Sequence, residues 1–565
     1  MRRVWHVIRP FLAGLLVLVG LLALILVPAL STKSKVPKEF SALSGAAQNV
    51  TPSEQETIGP LPGNLDLYAG EQSCQQGIST PGYWSALNGA ELTDAQRSGI
   101  YPCADFLGSR TAPNVVYTYK AQGNYPNVYY VNNDGPNGMY VVGGAPPPST
   151  GRGPAGPYVA RINPITGEQI WRTYVENLNV DNAFVGGTNL NILPNGNIVY
   201  AWGDRIALLD RAAGGILKTT TLPSPGPVTP NDINYKELTI APDGTIILRS
   251  QNRPENCNQQ GGGGLEACSQ SAGGAEQKPS DFLAINPDTL QVYDQLVAPE
   301  DSATPPIIAP YQGKIAIYTA MLQKAYRFFW DPATKKLTQD KSWVGNYLAS
   351  GQTVGDAPTF MGNWIVIQTN GIGSTTKASS LVAINVNNAS DTHTIYPFGQ
   401  LQSGQSSNAP PKPEGDLQNN MVYSADGGIG KIAGIHLDQQ TGQMTTKFVV
   451  DDRSFEFQPL FGPPNQRVLV TTKWNPDVSI GALASGAYTQ QVVWRDAATG
   501  KPLASSDFLP PIGFNGLVAP AYGGRFVYPA QSSGSLYFLQ PMPASSQPPV
   551  PTKTESSTTT TTSGG

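Results

Sequence analysis

Histidine is nearly absent from this chain, with His6, His393 and His436 the only three in 565 residues. His6 flanks an apolar segment and the other two stand far apart, which leaves no histidine-centred catalytic or metal motif to assign. Cysteine is also scarce. Cys74, Cys103, Cys257 and Cys268 include no C-x-x-C spacing and no neighbouring histidine, so a zinc site is disfavoured. Charged residues make up only 13%, Lys+Arg 36 against Asp+Glu 40, with no basic run. That removes the electrostatic argument for a nucleic-acid partner. No segment reads as a nucleophile elbow or phosphate loop, because Gly-rich fragments here lack the strand-to-helix setting those motifs require.

One long apolar run is present. Phe11 to Leu30 carries no charge and follows Arg2, Arg3 and Arg9. Its length suits a hydrocarbon core of roughly 30 Å. We expect a short cytoplasmic segment at 1–10 and an uncleaved transmembrane signal-anchor at 11–30. Cleavage near Val27 and Ala29 is the alternative. Lys33, Lys35 and Lys38 balance the arginines, so charge does not decide the orientation. The cysteines bear on it. Nearest-neighbour disulfides, Cys74 with Cys103 and Cys257 with Cys268, suit an oxidising compartment, against the alternative of free thiols. The expected localisation is the cell membrane, single-pass, with the soluble part on the extracytoplasmic side.

Gly 60 and Pro 50 mark a chain rich in turns. "NPITGEQIW" from Asn163 returns in weaker form at Asp210, Asn286, Asp331, Asp438 and Asp496. A second set of turns falls near Gly138, Gly196, Gly244, Gly313, Gly362, Asn419, Asn465 and Gly524, each followed by a run rich in Val, Ile and Tyr. Together they define a unit of strand A, Gly turn, strand B, loop, strand C, motif turn and strand D. This repeat predicts an all-β fold, an eight-bladed β-propeller of four-stranded antiparallel blades, over 114–541, with seven blades as the rival count. The last unit lacks strand D. Pairing Asn114–Ala121 with Ser535–Pro541 would complete it and close the ring. Residues 31–113 read as a linker and disulfide-stapled cap containing one short helix at Glu91–Gly99, N-capped by Thr93. Residues 542–565 are Ser/Thr/Pro-rich and expected to be disordered.

The motif turns resemble those of the pyrroloquinoline-quinone (PQQ)-like propeller family. The resemblance is carried by Asn163, Thr166, Gly167 and Trp171, by Asp438, Thr441 and Gly442, and by Asp496, Thr499 and Gly500. It implies a structural role for these residues: the side chains shape the turn, Gly supplies positive φ and Trp packs between blades. It also implies two kinds of function. The family's dehydrogenases hold a quinone beside Ca²⁺, often near a disulfide of adjacent cysteines, and no cysteines are adjacent here. Its non-enzymatic scaffolds include a lipoprotein of outer-membrane assembly, and no cysteine follows the apolar segment to accept lipid.

Long insertions begin at Ala145, between Arg249 and Asp281, at Asn370 and at Asn475, all on the face opposite the short turns. The expected function is therefore a non-enzymatic, envelope-anchored scaffold binding a protein or glycan partner on that face. No catalytic, cofactor or metal residue is assigned, and no cofactor. A PQQ- or metal-dependent oxidoreductase with its site in the axial funnel is one alternative. A cell-wall glycan-binding module using Trp343, Trp474 or Trp494 is another, with blade-core packing the favoured reading of each tryptophan.

Overall fold

Short runs such as Ile198–Trp202 and Asp281–Ile285 are buried along their whole length, as strands covered on both faces must be. In the computed structural model the described residues are 82–546, apart from 85, 102–103, 105, 145–155, 176–189, 225–231, 253–277, 303, 372–377, 402–404, 406, 408–410, 455–456, 476–487 and 513–515. They form eight separate antiparallel sheets, so the eight-blade reading holds over its seven-blade rival. Blade 1 spans Tyr130–Tyr174, blade 2 Leu190–Thr221, blade 3 Ile233–Val297 and blade 4 Ile307–Asn346. Blade 5 spans Thr353–Ile395, blade 6 Glu414–Val450 and blade 7 Phe457–Ser505. Strand order follows the chain from the inner strand A to the outer strand D.

Blade 8 takes its first three strands from Ala519–Pro543 and its outer strand from Asn114–Lys120, paired antiparallel from Asn114 opposite Pro543 to Lys120 opposite Tyr537. Closure thus joins the two ends of the repeat and leaves neither of these strands as an orphan edge. The final strand runs to Pro543, two residues beyond the expected limit, and residues 547–565 lie outside the described part.

The core lies between blades. Val131, Met139, Val141 and Ile162 of blade 1 pack on Ala519, Val527, Leu536 and Phe538 of blade 8, and equivalent layers recur around the ring. Asparagines tie inner strands together: Asn133 Nδ2 donates to the Pro520 carbonyl (3.3 Å), and Asn191 Nδ2 to that of Leu238 (2.9 Å).

The expected helix at Glu91–Gly99 is not formed. Leu92, Thr93 and Arg97 have φ of 54°, 82° and 50°, outside the helical region, and Thr93 is not an N-cap. Asp94 instead accepts from the Gln96 and Ser98 amides (2.9 and 3.1 Å), making a local turn. The tertiary reason is that this segment crosses the ring axis, where the Gly89, Ala95 and Gly99 carbonyls accept from inner-strand amides while Thr93, Arg97 and Gly99 amides close local turns onto Ala90, Asp94 and Leu92.

Candidate functional site

The described residues from 82 to 101 stopper the axial channel from the face of the short turns. The chain arrives over blades 1 to 3, where the Tyr83 hydroxyl accepts from the Ile240 amide (2.8 Å) and Trp84 Nε1 donates to Asp134 Oδ1 (2.9 Å). The Arg211 guanidinium covers the Trp84 ring at 4.1 Å. It then runs along inner-strand edges. Asn88 and Asn133 exchange backbone hydrogen bonds of 3.0 Å, Ile192 donates to Gly89 (2.9 Å), Ile308 to Ala95 (2.7 Å) and Leu460 to Gly99 (2.8 Å). Ile100–Tyr101 finally lies as a parallel strand against Leu460 and Phe461 of blade 7. Blades 1, 2, 3, 4 and 7 all contribute partners. The Tyr130 hydroxyl, 3.0 Å from that of Tyr101 and 3.1 Å from the Leu92 amide, fixes the middle of the segment.

The interface between stopper and ring is charged and buried. Arg97 donates to Glu91 Oε2 (2.5 Å) and to the carbonyls of Glu237 (2.7 Å) and Pro306 (3.3 Å). Glu237 also meets Arg249 and Lys236 (2.5 and 3.3 Å), and Lys412 meets Glu414 (3.0 Å). Burial works to raise the Glu237 carboxyl, but Lys236, Arg249 and Arg97 outweigh it and hold the group below its ordinary range. Elsewhere burial wins. It raises Glu91 despite Arg97, and Asp94 despite the Ser98 donors. It raises Asp356 with help from the nearby Glu237 charge, pushes Asp301 up to about 6 and takes Glu414 up to about 7 against the pull of Lys412. These carboxyls outnumber the four cations Arg97, Lys236, Arg249 and Lys412, so the buried cluster carries an excess of acid.

The described residues do not fit a quinone beside Ca²⁺. Among the described residues no three His, Cys, Asp or Glu side chains are grouped to hold a metal ion, and the axial carboxylates Glu91, Glu237 and Glu414 are engaged by Arg and Lys.

The motif turns are where the sequence put them, between strands C and D, and they are structural. Asn163 Oδ1 accepts from Ile165 and Thr166 (2.8 and 3.2 Å), Asp438 Oδ1 from Gln440 and Thr441 (2.9 and 2.8 Å), and Asp496 Oδ1 from Thr499 (3.0 Å). Gly167, Gly442 and Gly500 have φ of 70°, 72° and 73°. Each turn glycine also sits under a side chain of the preceding blade. A Cβ at Gly442 would come 2.3 Å from Trp364, one at Gly500 2.6 Å from Phe448, and one at Gly214 2.5 Å from Trp171. Trp171 therefore packs between blades 1 and 2.

Trp343, Trp474 and Trp494 are all buried, which corrects the reading of any of them as an exposed glycan platform. His393 is held by Asp391 and Gln443 (3.2 and 2.9 Å) against the Trp364 ring, while His436 lies on a strand opposite Met421. Cys74, Cys103, Cys257 and Cys268 lie outside the described residues, as does the apolar run 11–30. Among the described residues no helix is long and apolar enough to cross a membrane.

Sequence reasoning missed the stopper and its charges. The available signal was Lys236–Glu237 inside an otherwise uncharged strand and Arg249 in the next, charges that a doubly covered sheet admits only when paired.

No family model matches the sequence, and no curated protein matches it. Solved structures similar to the chain include quinohemoprotein alcohol dehydrogenase from Comamonas testosteroni, at 12% identity over 84% of each chain with a TM-score of 0.46. BamB from Moraxella catarrhalis is 10% identical over 75% of this chain and 98% of its own, TM-score 0.41. Quinohemoprotein alcohol dehydrogenase ADHIIG from Pseudomonas putida HK5 is 11% identical over 86% and 83%, TM-score 0.40. Likeness at this level says nothing about activity.

Proposed function

We propose that the protein is a membrane-anchored, extracytoplasmic scaffold whose propeller binds an envelope protein or glycan on the face opposite the short turns. One observation supports the reading above others: the B–C connections alternate around the ring. They are long in blades 1, 3, 5 and 7, at 144–157, 253–280, 371–380 and 475–489, and short in blades 2, 4, 6 and 8, at 203–204, 321–323, 427–430 and 531–534. Antiparallel order sends all of them to one rim. Insertions on every second blade of a rigid ring present spaced contact elements to one partner, the usual division between scaffold and recognition loop. The oxidoreductase alternative needs the axis, and much of that position is filled by the chain's own residues 86–101.

The test is capture of defined envelope proteins and isolated wall polysaccharide by the full chain, with and without trimming of the Cys257–Cys268 loop. Saturable capture that is lost on trimming supports the scaffold. A rise in melting temperature on adding PQQ with Ca²⁺, by mass action on the folded state, would favour the oxidoreductase instead. A reporter fused after Pro541 that works only in the cytoplasm would overturn the extracytoplasmic placement.

A further inference from the structure

We propose that the axial channel is an acceptor site for a peptide, and that residues 86–101 are its resident ligand, bound in cis and exchangeable for another copy of the same sequence.

Three observations carry this. First, the eight blades are complete without the segment: each has its four strands, and the ring is closed by Asn114–Lys120, which follows the stopper in the chain. The stopper is thus an addition to a finished ring. Second, it is held in the manner of a bound peptide. Backbone groups of Asn88, Gly89, Ala95 and Gly99 bond to free inner-strand edges of blades 1, 2, 4 and 7, and Ile100–Tyr101 adds a short parallel strand. Two side-chain features supply specificity. Arg97 reaches Glu237 and Pro306 carbonyls from a fully buried position, and Gly99 passes so close to Glu414 that a Cβ would lie 2.2 Å from its Oε2. Third, the docked state carries opposing costs. Leu92, Thr93 and Arg97 hold positive φ, and the Glu91 carboxyl is taken out of water beside Arg97. A segment clamped by many bonds yet opposed by backbone strain and by the desolvation of its polar groups has the energetics of a replaceable ligand rather than of a core strand. The ligand class follows: a peptide with a compact turn between its strand-edge contacts, glycine or alanine where it crosses those edges, and one arginine placed to meet Glu237.

The test uses the full chain with a site-specific protease sequence inserted between Thr111 and Ala112, which are exposed. After cutting, circular dichroism reports whether the ring stays folded. A fluorescent peptide of residues 86–101 is then added in excess and its uptake followed by anisotropy. The expected result is a folded ring and saturable uptake, weakened at least tenfold for peptides carrying Arg97→Ala or Gly99→Val. Unfolding on cutting would show that the segment belongs to the folding unit and overturn the proposal. So would absence of uptake, or equal uptake of the altered peptides.

Discussion

Gly214 and Gly313 have nearly the same backbone, φ of 74° and 75°, and different surroundings. A Cβ at Gly313 meets nothing within 4 Å, whereas at Gly214 it falls 2.5 Å from the Trp171 ring. Gly313→Ala should therefore cost about 1–2 kcal/mol, the conformational term alone. Gly214→Ala should cost about 1–3 kcal/mol more, because the inter-blade layer must shift to admit it. Denaturant midpoints of the two variants measure the difference, and equal midpoints would deny that Trp171 packs on the turn. The motif positions were legible in the sequence because a tight turn demands particular residues locally: an Asn or Asp acceptor, a Thr and a Gly with positive φ. What each turn touches was not, since the partner is a neighbouring blade tens of residues away.

The stopper is a single element with no repeat to reveal it. Its charges at Glu91, Asp94 and Arg97 look like one exposed helical turn until the ring closes around them. Its buried acids should make stability depend on pH. Glu414 faces Lys412 on its own segment, Asp356 from blade 5 and Asp94 from the stopper. Burial raises it from an ordinary 4.5 to about 7, so between these values the folded chain keeps a proton that the unfolded chain has released. Stability must then fall as pH rises across that window and level off above it. Asp301 and Asp281, raised to about 6, act in the same direction but finish earlier. Between pH 6 and 7 the wild-type unfolding free energy should drop by up to about 1.4 kcal/mol from Glu414. Glu414→Gln should flatten that stretch. Chemical denaturation at pH 6.0, 6.5 and 7.0 decides it, and a variant as pH-dependent as the wild type would contradict the assignment.

The ring as a whole was readable because two sets of turns recur in step, and strand period, turn chemistry and the missing last strand all pointed to one closed architecture. Its closure by Asn114–Lys120 follows from the cost of leaving sheet edges open. The filled axis did not follow, because nothing in a repeat specifies what occupies its centre. A ring with its own chain across the axis on one face and insertions on alternate blades of the other has two unlike ends, and the binding role is assigned to the second. Hydrogen–deuterium exchange of the full chain at pH 6 tests this arrangement most directly. Peptides covering 88–101 should be protected comparably to blade strands such as Ile198–Trp202, since their amides are hydrogen-bonded to the ring or within the buried segment. Exchange of 88–101 as fast as an unstructured peptide would mean that the axis is open and the account is wrong.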